Sequence, residues 1–215
     1  MTTIAFINPN STEAMTNSCA ASFQSNLPAG FKVLAITNRD APAAIQGPED
    51  GEAAIPGVLD IVARTSADAL VIGCFDDTGL ARSRQLTDKL VIGIGQASFH
   101  LAALQAGRFY VLTTLSASVP VIAENIANQG FDNVCDGVSA SGVPVLELEH
   151  HPERSQKTIA AHIESIAVEF PETAFVLGCA GMTNIWALLQ QQFRMPLIDP
   201  VAAAAKLVAA MTPVR

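Results

Sequence analysis

Basic residues are scarce in this chain, and their scarcity excludes several kinds of partner. The 215 residues include 12 Lys and Arg against 20 Asp and Glu, which gives a formal net charge of −8. Nucleic acids and anionic membranes are bound by basic patches, so neither is expected as a partner. The sequence also lacks an apolar run of the roughly 18 residues that a membrane span needs. Its N-terminus has no basic or long apolar segment typical of a signal peptide. We therefore expect a cytoplasmic protein that acts on a small molecule.

Motifs for metals, nucleotides and disulfides are missing as well. The chain has four cysteines, namely Cys19, Cys74, Cys135 and Cys179. They form no CxxC pair, and without an export signal they are expected to be reduced thiols. The adjacent His150 and His151 lack helical ligand spacing, so a solvated loop explains them better than a metal site does. No strand is followed by GxGxxG or GxxxxGK[ST], which disfavours a nucleotide-binding module. The sequence predicts neither a metal nor a cofactor.

Short apolar runs and helical patterns alternate along the chain. Half of the residues are hydrophobic and 15% are charged, which is typical of a globular protein. The runs that look like buried parallel strands cover residues 4–7, 32–36, 69–73, 90–94, 109–112, 143–148, 174–178 and 196–198. Helical patterns cover residues 12–26, 52–65, 97–106, 118–129, 153–169, 183–192 and 200–210. This alternation predicts an α/β fold with mainly parallel sheets. The long loop over residues 37–51 is a candidate lid or binding loop, although a surface excursion is equally allowed.

The second half of the chain repeats the first at an offset of 105 residues. At this offset VIGC, which ends at Cys74, overlays VLGC, which ends at Cys179. IAFINPNS (4–11) overlays FYVLTTLS (109–116), and LVIGIGQA from residue 90 overlays MPLIDPVA from residue 195. Many α/β proteins share similar apolar strands, but a rare residue at the same strand end in both copies indicates a duplication.

The repeat predicts two pseudo-symmetric α/β halves, each with three layers and a mainly parallel sheet. The first half would comprise residues 1–96 together with the C-terminal helix (about 200–215), and the second would comprise residues 97–199. Ligands of doubly wound sheets bind outside the carboxyl ends of the strands. Cys74 and Cys179 both lie at such ends. If a pseudo-twofold axis relates the halves, the two thiols face each other across an active site in the crevice between them.

Two facing thiols could form a disulfide, a metal pair or a pair of acid/base groups. A reducing compartment disfavours the first, and the lack of further ligands disfavours the second. Inversion of a carbon centre needs one group to remove a proton from one face and another to add a proton to the other face. Cysteine suits both roles because its reference pKa of about 8.5 lies near neutrality. A helix N-terminus, predicted after each cysteine, favours the thiolate. Cys74 and Cys179 are therefore candidate catalytic residues that titrate as a coupled pair.

Loops at the same strand ends supply candidate substrate-binding side chains. Asn8 follows the first strand, and Thr113 and Thr114 occupy the symmetry-related loop. Their hydroxyl and amide groups could hold the amides and carbonyls of a ring. Helix capping is the alternative role, and it suits Ser11 and Ser116 better.

Backbone amides that follow the cysteines are candidate oxyanion-binding groups. They belong to Phe75, Asp76, Ala180 and Gly181, and they could stabilise an enolate oxygen. Because a carboxylate beside a thiol discourages the thiolate, one of the two aspartates after Cys74 is expected to point away.

Five segments of the chain carry a family resemblance. They are INPNST (7–12), CFDDTGL (74–80), GIGQASFHLA (93–102), VLTTLSASVP (111–120) and LGCAGM (177–182). In this order they resemble the hydantoin racemase branch of the aspartate/glutamate racemase superfamily, which includes allantoin racemases. The resemblance implies a cofactor-independent racemase with catalytic cysteines at Cys74 and Cys179. The chain departs from the pattern at Gln96, where the branch carries glutamate, and at Thr78, where it carries proline. We expect Gln96 to lie near the crevice and to influence substrate preference.

The sequence thus predicts a racemase of 5-substituted hydantoins or of allantoin that works by proton transfer at the α-carbon. A racemase of a free amino acid such as aspartate is the alternative. It would need a cationic clamp for the carboxylate, and Arg39 is the only basic residue in the predicted strand-end loops. A non-catalytic thiol redox sensor would have a similar sheet architecture and is the third interpretation. We expect a homo-oligomer, since closed assemblies are common among soluble enzymes.

Overall fold

The structure is a computed structural model that describes residues 1–214. Its strands are β1 (Thr2–Asn8), β2 (Phe31–Thr37), β3 (Ala69–Ile72), β4 (Leu90–Gly93), β5 (Phe109–Thr113), β6 (Cys135–Ala140), β7 (Ala174–Gly178) and β8 (Leu197–Ile198). Its helices are α1 (Glu13–Ser25), α2 (Pro48–Arg64), α3 (Leu80–Leu86), α4 (Ile94–Ala106), α5 (Val119–Asn128), α6 (Glu147–His150), α7 (Pro152–Ala167), α8 (Thr183–Gln190) and α9 (Pro200–Met211). Two 3₁₀ turns cover Ser116–Ser118 and Ala180–Met182. Over this range no helix combines the length and the apolar character that crossing a membrane requires.

The strands form two parallel sheets with the same topology. The first sheet has the order β2-β1-β3-β4, and the second has the order β6-β5-β7-β8. Every strand pair in the described residues is parallel. The predicted α/β fold with two similar parallel sheets is therefore confirmed.

The repeat is visible in the pairing of the central strands. β1 pairs with β3, and β5 pairs with β7, in registers that differ by 105 positions throughout. The pairing of β3 with β4 and that of β7 with β8 differ by one residue from this offset. Val71 pairs with Ile92, whereas its counterpart Val176 pairs with Ile198. The predicted single offset of 105 residues is therefore wrong by one position for β4 and β8.

The predicted strand over residues 143–148 is wrong. The strand beside β5 is β6, a half-buried edge strand in which Val138 is the single large aliphatic residue, so its apolar signal is weak. Cys135 begins this strand. Val143 and Val145 are buried on either side of the exposed Pro144, as in a strand, but they lie in a loop, and Leu148 is buried in α6.

Helices α4 and α9 cross over between the sheets. α4 follows β4 of the first sheet and packs against β5 and β7 of the second, whereas α9 follows β8 and packs back against β3 and β4. The run of alanines in α9 allows this close approach, since Ala203, Ala204 and Ala205 are fully buried. Phe99 of α4 stacks on Phe109 of β5, with ring centroids 5.8 Å apart. A continuous apolar core therefore joins the two sheets and fixes their carboxyl ends relative to each other.

Candidate active site

Cys74 and Cys179 each follow a central strand at its carboxyl end. β3 and β7 are fully buried, and a glycine precedes each cysteine. A Cβ at Gly73 would lie 2.6 Å from the Phe6 ring, and one at Gly178 would lie 2.8 Å from the backbone of β5. Only glycine leaves room for the neighbouring strand at either position, which explains the glycine in both copies of the repeat.

The two thiols line one pocket between the halves. Cys74 is partly exposed and Cys179 is 8% exposed, and all four cysteines of the chain are free thiols. The other lining residues are Asn10, Met15, Ile45, Gly73, Phe75, Asp76, Thr113, Thr114, Ser118, Val145, Gly178 and Ala180. The pocket thus presents two thiols, one carboxyl group, hydroxyl and amide groups and an apolar part. None of these lining residues is Lys or Arg.

Burial dominates the acidity of both thiols. It raises the pKa of Cys179 to about 12 and raises the pKa of Cys74 still further above its usual value. The Asp76 carboxylate adds to both shifts because it repels a nearby thiolate, and a charge on Cys179 raises the pKa of Cys74. Backbone amides that follow each cysteine lower both pKa values, but burial outweighs them. The amides after each cysteine thus favour the thiolate as the sequence predicts, but their effect on the pKa is smaller than that of burial.

The two aspartates after the first thiol point in different directions. Asp76 lines the pocket, where Ser118 Oγ donates to its Oδ2 at 2.9 Å, and burial raises its pKa to about 6. Asp77 turns away with a φ of 52°, and its carboxylate accepts hydrogen bonds from the N–H groups of Gly95 at 3.0 Å and Gln96 at 2.8 Å. Asp77 therefore caps α4, and only one carboxylate of the pair reaches the pocket, as expected.

Gln96 lies outside the pocket. Its side-chain oxygen accepts a hydrogen bond from Arg84 Nη2 at 2.6 Å, away from the two thiols. The glycines of the GIGQ segment serve the Asp77 cap, because a Cβ at Gly93 would lie 1.9 Å from Asp77 Oδ1. The expectation that Gln96 contributes to the crevice is therefore wrong.

Most of the residues predicted to bind substrate reach the pocket. Those that line it are Phe75, Asp76, Thr113, Thr114 and Ala180. Asn8 lies behind the pocket, where its Nδ2 donates to Asn10 Oδ1 at 2.8 Å and to Thr16 Oγ1 at 2.9 Å. Gly181 lies beside Cys179, and its backbone N–H lowers the pKa of that thiol instead of facing the pocket. The side chain that Asn8 orients is Asn10, whose Nδ2 contacts only Met15 Sδ, at 3.3 Å, among the described residues.

Two loops close the pocket, and the sequence predicted only the first of them as a candidate lid or binding loop. Ile45 comes from the loop after β2, and Val145 from the symmetry-related loop after β6. The length of the first loop indicates a role at the site, but nothing in its sequence indicates that Ile45 is the residue that lines the pocket. The burial of Val145 was recognised and misassigned to a strand. Ser118 was also missed, because a hydroxyl in a Ser-rich turn is no more distinctive than its neighbours.

Trp186, Cys19 and the two adjacent histidines do not line the pocket. Trp186 packs against the core, and its Nε1 donates to the Leu197 carbonyl at 2.7 Å. Cys19 is buried in α1, and its Sγ donates to the Ala180 carbonyl at 3.6 Å. His150 ends α6 and His151 precedes α7, so they join two helices instead of lying in an open loop. In residues 1–214, no three His, Cys, Asp or Glu side chains lie together as the ligands of a metal would.

Comparison with known proteins identifies the family. The model of the Asp/Glu/Hydantoin racemase family matches residues 4–208. The chain is 39% identical to a hydantoin racemase from Rhizobium meliloti over 97% of its own length and 88% of that protein. It is 31% identical to a hydantoin racemase from Pseudomonas sp. (strain NS671), over 94% of its own length and 83% of that protein. The structure of allantoin racemase from Klebsiella pneumoniae superimposes with a TM-score of 0.92 at 33% identity, over 100% of this chain and 91% of that one. The resemblance inferred from the five segments is thus confirmed, and the chain belongs to the Asp/Glu/Hydantoin racemase family.

Proposed function

We propose that this protein racemises 5-substituted hydantoins or allantoin by proton transfer between two thiols and the α-carbon. The observation that carries the proposal is the convergence of Cys74 and Cys179, from equivalent strand ends of the two halves, on one pocket. The hydantoin and allantoin racemases among the similar proteins support this substrate class.

The reaction needs one thiolate and one thiol. The thiolate removes the proton from the ring carbon between nitrogen and carbonyl, and the electrons of the C–H bond delocalise into the carbonyl as an enolate. The opposite thiol then donates its proton to the other face of the carbon, and the electron pair returns from the oxygen to form the new C–H bond. The second cysteine is left as the thiolate, so the enzyme is then prepared for the opposite enantiomer. The roles of Cys74 and Cys179 reverse with the hand of the substrate.

The pocket provides complementary groups for a ring that carries amides. The Asp76 carboxylate accepts a hydrogen bond from a ring N–H, and Asn10 Nδ2 donates to a ring carbonyl. The backbone N–H groups of Phe75 and Ala180 stabilise the enolate oxygen. Thr114 offers a hydroxyl for which no hydrogen bond is found among the described residues.

The charge of the pocket favours a neutral ring over a free amino acid. An amino-acid carboxylate needs a cation, and no Lys or Arg lies among the residues that line the pocket. Arg39 is exposed and forms an ion pair with Glu13 on the surface. Asp76, when ionised, repels a second carboxylate.

Single enantiomers test the proposal directly. The protein is incubated with one enantiomer of allantoin, of benzylhydantoin or of aspartate, and optical rotation is followed over time. Rotation should decay to zero with a ring substrate and stay constant with aspartate. Decay with aspartate alone would contradict the assignment, and no decay with any of the three would leave the thiol sensor as the better interpretation. The expected homo-oligomer and the expected cytoplasmic location stay predictions, and gel filtration of the protein tests the first.

A further inference from the structure

Thr78 carries a buried hydroxyl without a partner. The residue is 6% exposed, and its Oγ1 makes no hydrogen bond within residues 1–214. Buried hydroxyl groups are nearly always paired, because a donor withdrawn from water loses its hydrogen bonds without replacement. An unpaired one beside a reactive group therefore suggests a partner that forms during the reaction.

The repeat shows how the same position is satisfied in the second half. Thr183 lies 105 residues after Thr78, and its hydroxyl donates to Asp199 Oδ2 at 2.8 Å. The first half has no equivalent acceptor after β4. Because the pairing is shifted by one residue, the residue of the first half that corresponds to Asp199 is Gly93. Of the two carboxylates that precede Thr78 in sequence, Asp77 caps α4 and Asp76 accepts a hydrogen bond from Ser118 Oγ. Thr78 therefore lacks the acceptor that its counterpart has.

The two thiols also differ in the donors that surround them. Two backbone N–H groups, of Gly181 and Met182, favour the thiolate of Cys179. One backbone N–H group, that of Asp76, lowers the pKa of Cys74, and the hydroxyl of Thr78 lowers it as well. A neutral thiol is a weak acceptor and leaves the hydroxyl free, whereas a thiolate is a strong one.

We propose that Thr78 donates a hydrogen bond to the Cys74 thiolate and so supplies the second donor that Met182 supplies to Cys179. Thr78 would then favour ionisation of one of the two thiols only. The inference rests on the proposed function, because it assumes that Cys74 ionises during the reaction.

The test measures how readily each thiol ionises, independently of racemisation. The full-length protein is treated with iodoacetamide between pH 6 and pH 10, and the alkylated Cys74 and Cys179 peptides are quantified by mass spectrometry. Thr78→Val keeps the shape of the side chain and removes the donor, whereas Thr78→Ser keeps the donor. Ser83→Ala removes another buried, unpaired hydroxyl, in the neighbouring α3, and serves as the matched control.

Thr78→Val should slow alkylation of Cys74 by roughly three- to tenfold at each pH. This corresponds to a pKa raised by about one unit. The loss of thiolate is partly offset because a thiolate of higher pKa is a better nucleophile. Thr78→Ser should restore most of the parent rate. Cys179 in the same samples, and both cysteines in Ser83→Ala, should react at the parent rate.

An unchanged rate for Cys74 in Thr78→Val would overturn the inference, and so would an equal loss at Cys179. Chemical denaturation should show that Thr78→Val is at least as stable as the parent, because it removes an unpaired buried group. If Thr78→Val fails to fold, Thr78→Ala provides the same comparison without the bulk. Failure to racemise any ring substrate would instead contradict the proposed function, and the alkylation rates would still decide whether Thr78 acts on Cys74.

Discussion

The Val145 backbone N–H donates a hydrogen bond to Gln46 Oε1 at 3.2 Å, and this contact joins the two halves of the molecule above the pocket. Each residue lies in the loop that follows the edge strand of its own sheet, and Gln46 neighbours Ile45, which lines the pocket. The pocket is therefore covered by one loop from each half, in keeping with the repeat.

Gln46→Ala removes the contact between these loops. We expect KM for a ring substrate to rise about three- to tenfold with little change in kcat, because loop closure is weakened while the thiols keep their positions. Steady-state kinetics on one enantiomer measures both constants. Gln192→Ala, an exposed glutamine outside the pocket, is the control and should leave both constants unchanged. A large loss of kcat with KM constant in Gln46→Ala would mean that Gln46 acts on the chemical step.

Val145 and Ile45 form part of the apolar side of the pocket, together with Met15. Val145→Ser should lower kcat/KM for benzylhydantoin about tenfold relative to allantoin, since a polar hydroxyl replaces two methyl groups where an apolar substituent would lie. The two substrates are compared in parallel assays with the same protein preparation. An equal loss on both substrates would show that Val145 shapes the loop and not the substituent pocket.

The charge of Asp76 affects the acidity of both thiols, and Asp76→Asn removes this charge while it keeps the shape of the side chain. Because the carboxylate raises the pKa of both Cys74 and Cys179, its removal should make both thiols alkylate faster at pH 8. Racemisation should nevertheless decrease, since the amide cannot replace the carboxylate as an acceptor in every orientation of the ring. Faster alkylation of only one cysteine would show that Asp76 lies beside one thiol and not between the two.

The same substitution changes how stability depends on pH. Burial raises the pKa of Asp76 from 3.8 to about 6, so the folded protein holds this proton more tightly than the unfolded chain does. Stability therefore falls as the pH rises from about 4 to about 6, and Asp76→Asn should not show this contribution. Urea denaturation at pH 4 and pH 8 should show that the variant gains on the order of 2 kcal/mol over the parent between the two values. Asp77, whose burial raises its pKa to about 7, is present in both proteins and so largely cancels in the comparison. An identical pH dependence in both proteins would contradict the burial of Asp76.

The cysteine pair could be predicted from the sequence, whereas its surroundings could not. The repeat of a cysteine at the same strand end can be read from the sequence alone. In the structure β1 pairs with β3 in the same register as β5 pairs with β7, so the two cysteines lie at equivalent positions. The acidity of the thiols depends on what covers them, and the loops that carry Ile45 and Val145 are placed by tertiary packing. The edge strand β6 could not be found because strand assignment from sequence relies on apolar periodicity, and a half-buried edge strand needs none. Gln96 was misplaced because its proximity in sequence to a strand end does not reveal that its backbone amide binds Asp77.

The division of labour between the two thiols can be tested by isotope exchange. In the proposed mechanism each cysteine faces one side of the substrate carbon, so each enantiomer presents its proton to only one of them. Cys74→Ser should abolish racemisation, because serine is a far weaker acid and base than cysteine near neutrality. The remaining Cys179 can still remove a proton and return one on its own face. In heavy water, proton NMR should therefore show that this variant exchanges the α-proton of one enantiomer without inverting it.

Cys179→Ser should exchange the other enantiomer only, and Cys135→Ser, which alters a thiol outside the pocket, should racemise at the parent rate. Enantiomers have equal free energies, so kcat/KM must fall equally in both directions in any single-cysteine variant, and steady-state rates cannot assign the faces. Exchange can, because it records proton removal without requiring donation from the opposite side. If one single-cysteine variant exchanged both enantiomers at equal rates, a single base would reach both faces and the two-thiol mechanism would be wrong. If neither variant nor the parent exchanged either enantiomer, the pocket would not bind these rings in a reactive orientation at all.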